Sequence, residues 1–320
     1  MRKPWATVGL VALGAVLGGG LVHAGRLLER GEALERAPVP AASATDVERE
    51  REREEHAPSV AAPRRSVAPA ATPPLRRYDE PAEVIERAKS AYERALRSAL
   101  AQPAYDADEL VLLRLVAVGA GDGQLARRFS TEHLKDKGDP FARLLDPSAP
   151  APRLSARLER GIARLHQYLL ASVGEPEDVA LELLASFAAR QEQGYALCHQ
   201  ALALGWFEAS GRRLTDELLT RRGELLDRIA SEQEADSRAS DLFAERASTL
   251  LLYGAPPRDE VRRWVAVLSA AQSADGAWPA ERRTLEFDGE TVHVEQDAMH
   301  TVAHALFVLR RFLDTSAAKP

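Results

Sequence analysis

The chain has almost none of the features that announce a function locally. Cys198 is its only cysteine, which excludes an intramolecular disulfide and leaves the redox compartment undecided. It has no excess of positive charge. The formal net charge is −6 at pH 7, which argues against a nucleic-acid-binding face, since such faces are basic. There is no G-x-S-x-G nucleophile elbow. The glycines of Gly119-Ala120-Gly121-Asp122-Gly123 lack the preceding strand and the lysine of a phosphate-binding loop. Strand-like alternation is missing apart from Thr284 to Glu295, where Asp288-Gly289 is a turn signal and a short hairpin or loop is expected. Aromatics are few, and what is abundant is the helix-favouring set Ala, Arg, Leu and Glu.

The N-terminus reads as a membrane element, residues 1–30. Arg2 and Lys3 precede an uncharged apolar run from Trp5 to Val22, close to the ~20 residues a spanning helix needs. Positive charge on that side predicts a cytoplasmic N-terminus and an extracytoplasmic remainder. The sequence supports a single-pass anchor. It also supports a signal peptide cut near Ala24, after the small-residue pattern Val22-His23-Ala24, which would release a secreted or periplasmic domain. Residues 31–77 are rich in Ala, Pro and charge, with an alternating run from Glu48 to Glu54. That composition cannot build a core and predicts a disordered tether.

From Tyr78 to about residue 316 the pattern is helical. Long charged segments with one apolar stripe, such as Glu80 to Ala101 and Thr215 to Glu232, tend to alternate with shorter ones that are apolar nearly all round. Examples of the second kind are Asp106 to Val118, Gly194 to Ala209 and Asp241 to Tyr253. The first kind predicts an outer layer and the second an inner layer. Stacked pairs of this kind form a solenoid or a closed two-layer ring. The fold class expected is therefore all-α.

Within this pattern Gln272-Ser273-Ala274-Asp275-Gly276-Ala277-Trp278 fits a Q-x-x-x-G-x-W element, preceded by Leu268, Arg262 and Arg263. The stretch resembles the α/α-toroid superfamily of terpene cyclases and prenyltransferase subunits, over about fifty residues. The resemblance implies a toroid or partial toroid, in which Gln272, Gly276 and Trp278 are structural. Ile229 to Gln233 is a possible decayed copy. The cyclases' acidic D-x-D-D motif has only Asp106-Ala107-Asp108-Glu109 as a counterpart. Those acids open a helix, where a cap and an acidic first turn are expected anyway.

Asp297, His300 and His304 share one helical face at spacings of three and four. His-x-x-x-His can chelate a metal, zinc being the ion the resemblance suggests, but Thr301 stands where H-E-x-x-H has its general base. His199 is in phase with Tyr195, Leu202 and Trp206 and so should face other helices. The expected ligand cavity is lined by His199, Glu245, Asp297, His300 and His304. His199, Asp297, His300 and His304 are the possible metal ligands, and hydrogen-bonded interior histidines without a metal are the alternative. The function expected is a membrane-tethered, extracytoplasmic helical binding or scaffold domain for a protein or small-molecule ligand, without nucleic acid. The competing reading is a metal-dependent or cyclase-like enzyme working in the central cavity.

Overall fold

In the computed structural model, residues 78–136, 139, 141–146, 161–280, 282–295 and 298–318 are described. The anchor or signal segment, the tether and Asp297 lie outside them. The described part is mostly helical. No helix in it is long and apolar enough to cross a membrane.

Strand β1 (Tyr78–Glu80) leads into α1 (Ala82–Leu100), α2 (Ala107–Ala120), α3 (Gly123–Arg128) and the short α4 (Ala142–Leu145). Next come α5 (Gly161–Gly174), α6 (Glu177–Ala188), α7 (Gly194–Ala209), α8 (Asp216–Ala235), α9 (Asp241–Tyr253) and α10 (Arg258–Ala271). A hairpin of β2 (Arg282–Phe287) and β3 (Glu290–Glu295) precedes α11 (Ala298–Asp314) and β4 (Ser316–Ala318).

Sequence patterning sorts these helices into two kinds. Helix α1 buries only the stripe Ala88, Ala91, Tyr92, Ala95 and Ala99, and α8 only Leu218, Leu225, Ile229 and Gln233. Helix α7 is buried from Tyr195 to Phe207, and α11 from Met299 to Leu309. The inner helices touch in the order α5, α7, α9, α11, α2. The outer helices α1, α6, α8 and α10 pack against them. A narrow apolar face suits a helix with solvent behind it, and an all-round apolar surface suits one enclosed by neighbours.

Two strands join the ends of the described chain. Strand β1 runs parallel to β4, with Tyr78 beside Ser316 and Glu80 beside Ala318. The Glu80 carboxylate is fully buried there and accepts from Arg258 Nε at 2.6 Å and Arg262 Nε at 2.7 Å. Burial alone would raise this carboxyl's pKa; the hydrogen bonds from Arg262 and Arg258 overcome that and hold it below the usual range. Nothing in three-residue strands separated by over two hundred residues signals their pairing in sequence.

The Gln272–Trp278 stretch forms the joint after α10. Gln272 Nε2 donates to the carbonyls of Ala91 in α1 (3.0 Å) and Gly276 (2.9 Å), and its Oε1 accepts from Arg94 Nε (3.1 Å). The buried Trp278 indole donates to Leu268 O at 3.0 Å. Gly276 has φ 89°, and a Cβ there would lie 2.2 Å from the Arg94 carbonyl oxygen. Gly is thus required both by the backbone and by the approach of α1. Gln233, in the possible decayed copy, is also buried and donates to the Phe243 carbonyl at 3.3 Å.

Asp288 and Gly289 both have positive φ, as a two-residue turn of the right twist needs, so the segment is a hairpin. It packs on α5 and α7. Phe287 meets Tyr168 and Phe187 edge-on, and Asp288 pairs with Arg164 and Arg190.

Candidate functional site

Polar side chains gather where four inner helices meet. Helix α11 supplies His300, Thr301 and His304, one turn apart and all at most 3% exposed. Helix α9 supplies Asp241, Glu245 and Ser248, helix α7 supplies Tyr195 and His199, and helix α2 supplies Asp108. Asp108, His199 and Asp241 are 1% exposed, and Glu245, Ser248 and His304 are fully buried. Buried ionisable groups at this density need mutual pairing or a ligand.

The pairing is directional. His300 Nδ1 lies 2.8 Å from Asp241 Oδ1. The same carboxylate accepts from Thr301 Oγ1 at 2.8 Å and from the Tyr195 hydroxyl at 3.0 Å. His304 Nδ1 lies 2.6 Å from Ser248 Oγ, whose proton goes to the Glu245 carbonyl at 2.9 Å. With that proton committed, Ser248 accepts and the His304 ring donates through Nδ1–H. The Nε2 atoms of His300 and His304 face each other at 3.3 Å. Asp108 Oδ2 is 3.6 Å from His300 Nε2, and His199 Nε2 is 3.5 Å from Glu245 Oε1. One ligand atom each from Glu245, His300 and His304 lies within 4.8 Å of the others.

The sequence-derived candidates therefore divide. His199, Glu245, His300 and His304 share one buried region, with Glu245 the link between His199 and the α11 pair. Asp297 lies outside the described residues. The carboxylates that hold His300 are Asp241 and Asp108; the sequence singled out Asp108 only within the acidic Asp106–Glu109 run, read as a helix opening, and did not single out Asp241. Each opens a helix, Asp241 after the Ser240 cap of α9 and Asp108 in the first turn of α2. An acid at such a position is explained by the helix dipole, so its residue type carries no further signal. Tyr195, Ser248 and Thr301 had no local signal either.

Beside Asp108, Glu109 receives the Asp106 backbone N–H at 2.9 Å. Its carboxyl is pushed up to about 8, first by burial and then by the Asp108 charge. Burial also raises Asp139 to about 7, although its Oδ1 accepts the Phe141 N–H at 2.8 Å. Cys198 is fully buried, and that burial pushes its thiol pKa up, so it is a core residue rather than a nucleophile.

Arg246 follows Glu245 in the chain but points the other way. It pairs with Glu232 at 2.8 Å and Asp236 at 3.2 Å, lining an open surface hollow with Ala235, Ser237 and Arg238. Adjacent residues of α9 thus serve opposite faces.

No family model, curated protein or solved structure matches the chain.

Proposed function

We propose that the chain is a membrane-tethered, extracytoplasmic binding domain whose recognition centre is the buried cluster between α2, α7, α9 and α11. The observation that carries this reading is the fixed orientation of both α11 imidazoles. Asp241 and Ser248 hold their Nδ1 atoms, and both Nε2 atoms turn to one point. Rings used only to fill a polar interior do not need a common focus. Side chains 0–4% exposed suit a ligand that stays bound better than a substrate that must enter and leave, which favours binding over the cyclase-like enzyme reading. The continuous run of inner helices from α5 to α2, backed by outer helices, supports a toroid or partial toroid as the scaffold, as do the contacts of Gln272, Gly276 and Trp278. The tether and membrane segment rest on residues 1–77 of the sequence alone.

Two measurements test it. Native mass spectrometry of the full chain released from detergent should show a mass above that of the sequence, lost in His304→Ala. Protease added outside intact cells or spheroplasts should shed the domain from about Tyr78 onward. A chain that always carries its bare sequence mass would remove the binding reading, and protection from external protease would remove the extracytoplasmic one.

A further inference from the structure

We infer that the recognition centre binds one divalent first-row transition-metal ion, through His300 Nε2, His304 Nε2 and the Glu245 carboxylate, with Asp108 as the adjoining fourth donor. The inference rests on the binding reading above and names its ligand. It differs from the set the sequence suggests, because Glu245 joins the α11 histidines directly and His199 stands behind Glu245.

Asp241 accepts from Thr301 and Tyr195 on its two oxygens, so its remaining contact, 2.8 Å to His300 Nδ1, is best served by Nδ1–H donating to it. Ser248 gives its proton to the Glu245 carbonyl, so His304 donates to Ser248 through Nδ1–H. In the neutral rings both Nε2 atoms then carry lone pairs, only 3.3 Å apart. Two such lone pairs repel unless a positive centre lies between them. A shared proton and a metal ion are the two candidates.

Geometry favours the metal. At 3.3 Å an N–H···N hydrogen bond between the two rings would be a long one. Two ligands ~2.0–2.1 Å from a tetrahedral ion lie about 3.3 Å apart, which is the separation the two nitrogens have. A proton would use only the two nitrogens. The Glu245 carboxylate lies within 4.8 Å of both imidazoles, and Asp108 Oδ2 is 3.6 Å from His300 Nε2. A cation with three or four donors uses all of these.

The surroundings match what a metal site requires beyond its ligands. Metal-binding imidazoles pass their other N–H to a carboxylate, carbonyl or similar acceptor, which sets the tautomer and the ring plane. Asp241 does this for His300 and Ser248 for His304. His199 approaches Glu245 at 3.5 Å and would steady that carboxylate in turn. The donor set, two imidazoles with carboxylates and no thiolate, selects ions such as zinc, iron(II), manganese or cobalt over calcium and magnesium, which favour all-oxygen shells.

The test uses the full chain, purified in detergent without chelator, stripped with EDTA and titrated with zinc(II) or cobalt(II). About one equivalent should bind, cobalt should give the visible absorption of a nitrogen- and oxygen-ligated low-coordinate ion, and zinc should displace it. Glu245→Gln keeps the side-chain shape and should lower affinity at least about 100-fold. His304→Ala should do the same, and Ser248→Ala about 10-fold, the size expected for a supporting partner. Should His304→Ala fail to fold, Glu245→Gln decides alone. Failure of the stripped chain to take up either ion overturns the inference, as does Glu245→Gln binding as well as the parent. If no metal binds but a ligand mass remains that the His304 substitution removes, the metal inference falls and the binding-domain reading stands. If neither metal nor any other ligand is found, both fall.

Discussion

Among the described residues, two clusters of buried charge are balanced differently. At the clasp between its ends, Glu80 meets two guanidiniums, and Arg258 goes on to Thr315 at 2.8 Å and Ser316 at 2.6 Å. Opposite permanent charges meet there in paired geometry, and the result is mechanical: first and last strands are tied together. At the centre, Asp108, Asp241 and Glu245 face imidazoles at 2.8–3.6 Å. Imidazole can be neutral, cationic or a ligand, so its charge depends on what it meets. A buried acid paired with arginine holds a fold together, whereas the same acids set around histidines leave a choice of occupant. The joint at Gln272–Trp278 belongs with the clasp: its polar atoms go to backbone carbonyls and to Arg94.

Substitutions at the joint and clasp should therefore cost stability and spare the centre. The largest effect is expected from Trp278→Ala, about 3–5 kcal/mol for loss of a buried aromatic, read as a sharp drop in melting temperature. Gly276→Ala should be comparably harmful, because its Cβ meets the α1 backbone at 2.2 Å. An unchanged melt for either would break the structural reading of the joint.

Next is Glu80→Gln, expected to cost about 1.5–3 kcal/mol, the range for hydrogen bonds to charged groups. The sign with pH follows from the lowered carboxyl pKa. The clasp contributes fully above the unfolded carboxylate range of about 4.5 and is lost as pH falls through the lower folded value. Denaturant titrations at pH 7 and pH 3 should show the Glu80→Gln difference shrinking in acid. A difference that grows in acid would remove the ion-pair account.

Asp139 sharpens the contrast with the opposite sign. Its carboxyl is raised to about 7 by burial. Its protonated form suits the fold, so stability is full below about pH 4 and declines as pH rises through about 7. Asp139→Asn should flatten that slope and stabilise the domain at pH 8, by up to about 4 kcal/mol. Loss of stability at pH 8 would mean the Phe141 hydrogen bond matters more than the buried charge.

The smallest stability change should come from the centre. With chelator present, Glu245→Gln loses the contact to His199 but also relieves the cost of burying a charge among other carboxylates, so stability should move less than in the clasp variant. A loss as large as that of Trp278→Ala would make the centre a structural network like the clasp.

The helices were legible because their causes are local. The period of apolar residues, the Asp106 cap and the Asp288-Gly289 turn lie within a few residues of what they specify. The division into stripe-faced and all-apolar helices follows from composition for α1, α7, α8 and α9, but not for α6, apolar in sequence yet burying only Ala180, Leu184, Phe187 and Ala188; the spacing of His300 and His304 puts both rings on one face. Tertiary structure alone chose their company. Asp108 and His304 are nearly two hundred residues apart, and an acid in a helix's first turn looks the same whether it faces water or a buried imidazole. The β1–β4 pairing is hidden for the same reason, since three residues carry no period. Sequence sets what each segment buries; which buried polar groups meet depends on how the helices pack, through contacts between residues far apart in the chain.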